Sequence, residues 1–302
     1  MTRRILLSLV AACGLLPMAD AETKKASLYP PTKVDPVVDK LHGVEITDPY
    51  RWLEDADSAA TRAWVDKENA YTRSILDNLP GREAIHQRLE VLLEIGSLTA
   101  PAPRKGRYFY LKREGKQNQP VLYVRKGLKG VDKILLDPNA LAKDGTTALD
   151  WWFPSRDGNL LAYGLSKDGN EQSTLRVRDL ETGEDLPDMI ERTRASSIAW
   201  LPEGTGFYYT RYPAADNVPK GQENYHRHVF LHKLGDDPAK DVLVFGEGRQ
   251  AEDWPNVALS PDGRWLVVTV EQGWSRSEVH FKDCKKTDAA FAPLTEGLDA
   301  LF

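Results

Sequence analysis

Cysteine is almost missing from these 302 residues: there are two, Cys13 and Cys284. A disulfide-stapled scaffold is thereby excluded, and the fold must rest on packing. An excess of either charge is missing as well. Forty Lys and Arg stand against 45 Asp and Glu, interspersed along the chain, for a formal net charge of −5. That balance argues against nucleic acid or an anionic membrane surface as the main partner. Long apolar runs are confined to the first residues, and that run is too short for a membrane span. The familiar chemical signatures are absent too. There is no G-x-S-x-G nucleophile elbow; the nearest misses, "GLSKD" at Gly164 and "GWSRS" at Gly273, fall in strand or loop sequence. There is no Gly-rich phosphate loop, no H-E-x-x-H and no paired-cysteine metal site. No catalytic, cofactor-binding or metal-ligating residue is therefore assigned, and no cofactor is expected.

What is present starts with "MTRR", then "ILLSLVAACGLLPMA", then Ala19-Asp20-Ala21 before Glu22. A positive start, an apolar run and an A-x-A site are the layout of a secretory signal peptide, expected over residues 1–21. The mature protein is then exported, to the periplasm or the medium. Acylation at Cys13 is the weaker reading, because the apolar run continues past it. After cleavage only Cys284 remains, and it reads as an ordinary small residue near a strand.

With 41% hydrophobic and 28% charged residues, the rest can bury a core. Residues 22–97 read as a proline-rich extended entry followed by two helices. Ser58 is the expected N-cap of the first, in which Trp64, Tyr71, Ile75 and Leu79 share a side. Pro80-Gly81 ends it. Ile85, Leu89, Leu92 and Leu93 form the apolar face of the second, with Gly96 as its stop.

From residue 98 to 302 the pattern changes. "PRKGRYFYLKR", "SRDGNLLAYGL", "LPEGTGFYYTR" and "SPDGRWLVVTV" each set a polar turn and a glycine before an apolar run. The glycines, Gly106, Gly158, Gly204 and Gly263, stand 52, 46 and 59 residues apart. Each copy is followed by a second strand candidate: "PVLYVRK", "TLRVRDL", "VFLHKLG" and "EVHFKD". A period near 50 with several strands per period is the mark of β-propeller blades. Four copies are clear, and "FAPLTEGLDALF" at the end does not read as a closing blade. The expected fold class is mainly β: a partial β-propeller, about four of seven blades, preceded by an α-helical N-terminal segment.

A few clusters invite a functional reading. In "HRHVFLH", His226, His228 and His232 share a face if all lie on one strand, but the outer two would stand roughly 20 Å apart, too far to share an ion. Trp151, Trp152, Trp200 and Trp265 sit at blade strands and read as core. Arg51 with Glu54, Asp55 and Asp57 reads as polar contacts at the helix entry.

"HGVEITDPYRWLEDADSAATRAWVDKENAYT", "GKQNQPVLYVRKGL", "LLDPNALAKDGTTAL" and the stretch from Ser155 to Pro213 together resemble the prolyl oligopeptidase family of serine peptidases, closer to its prolyl-cleaving branch. The resemblance covers nearly everything after the signal peptide, in order. It implies a seven-bladed propeller set on an α/β-hydrolase domain. Residues 22–97 would be the segment that packs on the peptidase domain, and 98–302 roughly the first four blades. It also implies cleavage of short peptides after proline by a Ser-His-Asp triad, with the propeller admitting only small substrates. The triad motifs belong to the C-terminal domain and none is matched here, so the hydrolase domain is taken as absent from this chain.

The leading expectation is the N-terminal part of an exported prolyl oligopeptidase-like serine endopeptidase, inactive as these residues alone, with oligopeptides as substrates of the full enzyme. Two alternatives stay open: a non-catalytic propeller serving as a binding scaffold, and one half of a split peptidase whose hydrolase domain comes from a second polypeptide.

Overall fold

The computed structural model describes residues 29–142, 144–286 and 288–302; the expected signal peptide and Cys13 lie outside them. The chain divides into two compact units, one ending at Leu89 and the other running from Glu90 to Phe302.

The first unit opens with an extended entry and a hairpin of β1 (Val37–Leu41) and β2 (Val44–Asp48). The entry is tied down by tryptophan: Trp52 Nε1 donates to the Lys33 carbonyl, and Trp64 Nε1 to Thr32 Oγ1, both at 3.0 Å. Helix α1 (Ala59–Leu76) starts at Ser58, whose hydroxyl accepts from the Thr61 amide at 3.1 Å. That bond satisfies one of the donors a helix start leaves free. Pro80 and Gly81, at φ +82°, then redirect the chain into α2 (Arg82–Leu93). Thr61 is the single buried residue in the two helices. The expected stop at Gly96 is displaced: α2 ends at Leu93, and Arg113 donates to the Leu93 and Ile95 carbonyls at 2.7 and 2.8 Å. Gly96 is small for another reason, since a Cβ there would come within 2.8 Å of the Arg113 carbonyl oxygen.

The second unit is four antiparallel sheets in chain order. The first holds β3 (Ser97–Leu98), β4 (Ala102–Arg104), β5 (Arg107–Arg113), β6 (Val121–Lys126) and β7 (Asp132–Leu136), with β3 and β4 both pairing with β5. After the short helix α3 (Pro138–Leu141) come β8 (Thr147–Pro154), β9 (Leu160–Lys167), β10 (Thr174–Asp179) and β11 (Asp185–Ile190). The third sheet is β12 (Ile198–Trp200), β13 (Gly206–Arg211), β14 (His228–Lys233) and β15 (Val242–Phe245). The fourth is β16 (Trp254–Leu259), β17 (Trp265–Gln272), β18 (Arg276–Asp283) and β19 (Ala292–Thr295). These are four propeller blades. Every strand pair among the described residues is antiparallel, so they hold no parallel α/β-hydrolase sheet.

The repeated glycine sits at the same turn in every blade, before the second long strand. Two copies show why it is needed. Gly158 and Gly263 have φ of +72° and +71°, a region costly for other residues. A Cβ on Gly263 would also lie 2.4 Å from Pro202 of the preceding blade. Alternation along each strand then sends apolar side chains to the seams. Phe109, Leu122 and Leu136 of the first blade meet Leu161 and Tyr163 of the second. Leu175, Val177 and Ile190 of the second meet Trp200, Phe207 and Tyr209 of the third. Ala199 and Val229 of the third meet Val257, Val268 and Val270 of the fourth. Arg156, in the turn of the second blade, reaches past the third to the fourth. It donates to the carbonyls of Trp200 (3.3 Å), Leu259 (3.0 Å), Ser260 (2.7 Å) and Pro261. One guanidinium thus binds three successive blades through backbone groups that would otherwise need water.

Candidate functional site

The histidine cluster disperses. His226 stands before β14 rather than on it, at φ +58°, with its ring bonded to Gln222 at 3.1 Å. His228 is half-buried, and burial together with His226 lowers its affinity for a proton. His232 is fully buried between two aspartates. The three rings do not converge on one point. Arg51 bonds Asp48 at 2.9 Å, and also Asp39, tying the 3-10 turn Arg51–Glu54 to the β1–β2 hairpin. The hydrogen bond from Arg51 holds the Asp48 carboxyl below its usual range. Trp151 and Trp200 are core and Trp152 packs on it. Trp265 instead stands on the other face of the fourth blade, edge-on to Phe281 at 5.7 Å and under Arg264 at 4.5 Å.

The two elbow-like near misses are explained locally. Gly164 lies within β9 facing Trp151, where a Cβ would come 2.3 Å from the indole. Ser166 beside it is buried and bonds Asp150 at 2.9 Å. Gly273 begins the β17–β18 hairpin and Trp274 at its tip is fully exposed. Other serine hydroxyls serve turns and caps in the same way: Ser155 bonds Asp157, Ser260 bonds Asp262, both at 2.6 Å. Cys284 lies just past β18, its sulfur hydrogen-bonded at 3.7 Å to the Tyr208 hydroxyl, between the third and fourth blades.

What the structure offers instead is surface. In the first unit, Leu76, Leu79, Pro80, Ile85 and Leu89 line an apolar groove of about 260 Å³. Ile85 is 62% exposed and Leu79 50%. In the second unit, the face of the first blade turned away from the second carries Tyr108, Tyr110 and Lys112 of β5. With Leu98, Arg125, Leu128 and Asp132 they line a hollow of about 220 Å³. Tyr110 stacks on Tyr123 at 6.0 Å, Arg125 lies over the Tyr110 ring at 5.6 Å, and Arg125 bonds Asp132 at 2.6 Å. That bond holds the Asp132 carboxyl below its usual range, while burial and then Asp132 push the Tyr110 hydroxyl up. The sequence carried a signal for this face, the aromatic alternation of "RYFYLKR", which marks both faces of β5 as apolar and so both as covered in a stack. Such surfaces are suited to binding sheet and helix faces of another domain. Among the described residues no helix is long and apolar enough to cross a membrane.

Comparison with known proteins gives these surfaces a context. The profile of the prolyl oligopeptidase N-terminal beta-propeller domain matches residues 29–302. A prolyl endopeptidase of Elizabethkingia meningoseptica is 33% identical over 298 residues, covering 97% of this chain and 41% of its own length. A prolyl endopeptidase of Dictyostelium discoideum is 30% identical, over 72% of this chain and 36% of its own. A solved prolyl endopeptidase, one of two studied for the role of inter-domain dynamics in catalysis and specificity, superposes with a TM-score of 0.82. It is 35% identical and covers 90% of this chain and 40% of that one. Prolyl oligopeptidase B of Galerina marginata, solved with a 35-residue substrate, shares the fold at a TM-score of 0.75 and 23% identity. The chain thus spans about 40% of the length of the relatives it matches.

Proposed function

Because the chain belongs to the prolyl oligopeptidase family, through that family's N-terminal propeller domain, we propose that it is the substrate-filtering part of an exported serine endopeptidase that cleaves short peptides after proline. The observation that carries this reading is the match of residues 29–302, in order, to one domain of peptidases about two and a half times as long. The groove along Leu79, Ile85 and Leu89 is the face that packs on the peptidase domain. The face of the first blade around Tyr110 and Arg125 closes against a further blade. Size selection then belongs to the completed ring, and catalysis to the peptidase domain, where a serine attacks the carbonyl after proline and a histidine carries the proton. Export rests on the signal-like residues 1–21.

Taken alone, these 302 residues are expected not to hydrolyse peptides. The test is a fluorogenic Gly-Pro substrate incubated with the purified chain. No turnover is the expected result. Turnover abolished by a serine-directed covalent inhibitor would overturn the assignment of chemistry to another domain.

A further inference from the structure

The seam between the second and third blades is apolar along Trp151, Leu175, Ile190, Trp200 and Phe207, and a titratable ring is set into it. There His232 of β14, fully buried, has Nδ1 2.8 Å from Asp241 Oδ1 and Nε2 2.9 Å from Asp188 Oδ1. Asp188 belongs to β11, so it comes from the neighbouring blade. Asp241 immediately precedes β15. The two carboxylate side chains are 1% and 2% exposed.

A neutral imidazole carries one N–H and one lone pair. Here a carboxylate oxygen faces each nitrogen at hydrogen-bond distance. Without a proton in both gaps, one nitrogen would set its lone pair against an anionic oxygen where little water screens the repulsion. The two carboxylates have further partners. The Gly235 amide donates to Asp188 Oδ1 and the Tyr209 hydroxyl to Asp241 Oδ2, both at 2.6 Å. Each carboxylate thus accepts a second hydrogen bond beside the imidazole's, while Asp188 Oδ2 is buried without a partner; a proton on the ring fills both gaps at once. Tyr209 brings no competing charge, because burial pushes its hydroxyl far up. Beyond it, Arg211 lies over the Tyr209 ring at 5.8 Å, and both it and Arg192 bring positive charge toward the Tyr209 hydroxyl. Phe207 covers the imidazole at 5.3 Å.

We propose that Asp188, His232 and Asp241 hold a buried proton between the second and third blades and form a pH-sensitive latch across that seam. Burial by itself would lower the proton affinity of His232, but its hydrogen bonds to Asp241 and Asp188 outweigh that and raise it. The latch is therefore fully engaged below about pH 6.5, the value for an unfolded histidine, and is lost as pH rises through the higher folded value. Deprotonation leaves two buried carboxylates against one neutral ring, and the seam loosens.

The test is a titration of the chain labelled with 13C-histidine, whose six rings are followed by proton–carbon correlation from about pH 5.5 to pH 9, the window in which imidazoles change charge. One ring is expected to stay protonated above pH 7. Asp188→Asn should lower that ring's midpoint by about one pH unit, roughly a tenfold loss of proton affinity, and leave the other five in place; Asp241→Asn provides a second variant. Amide exchange in β11 and β14, corrected for base catalysis, should speed up from pH 6 to pH 9 more than in β5 or β17. Six rings all deprotonated by pH 7 would overturn the proposal, as would uniform pH dependence of exchange across the blades. Both of those readouts come from the unmodified chain, so they hold even where a variant does not fold.

Discussion

In β13, Phe207 and Tyr209 are fully buried; in α1 and α2, Ile75 is 45% exposed, Ile85 62% and Leu89 48%. Both regions are amphipathic, and both have their apolar residues at the right period for their secondary structure. They differ in where the covering surface comes from. A blade is covered by the next repeat of the same chain, so consecutive copies seal one another. The helices of the first unit have no repeat to lean on, and among their described residues Thr61 alone is buried. Period therefore reports that a face will be covered, and repetition reports by what.

The contrast breaks most visibly in the blades. Phe207→Ala empties a site packed by Trp200, Tyr209 and His232 and should cost about 3–5 kcal/mol, read as a fall in melting temperature of the β-sheet signal. Gly164→Ala, which forces a methyl group against Trp151, should cost about 1–3 kcal/mol by overpacking. The same kind of change in the first unit should scarcely register. Ile85→Ser and Leu89→Ser are expected within about 0.5 kcal/mol of the parent in stability. They should nonetheless reduce self-association in sedimentation, because they remove an exposed apolar groove. A large loss of stability from Ile85→Ser would mean that this face is already covered.

Much of this was legible in the residues. Gly106, Gly158, Gly204 and Gly263 locate the four turns, and the runs after them are β5, β9, β13 and β17. The second candidates are β6, β10, β14 and β18. The outer strands β7, β11, β15 and β19 were not, because each pairs through a register shift that breaks the simple alternation. Ser58 announced its helix, since capping is local. The stop of α2 did not, since its carbonyls are met by Arg113 from β5. His232 shows the same limit at a chemical site. Its residue type was visible, but its partner Asp188 lies 44 positions away and one blade over. Nothing in "HRHVFLH" distinguishes the buried ring from its neighbours; only the fold does.

The most direct test of the difference between the two units is native-state hydrogen exchange on the purified chain, comparing amides of β9, β13 and β17 with those of α1 and α2. The helices, without a covered face, should exchange at least about a hundredfold faster, a gap of about 2.7 kcal/mol in opening free energy. Equal protection in helices and blades would contradict the account, and would mean that the first unit carries its own stability.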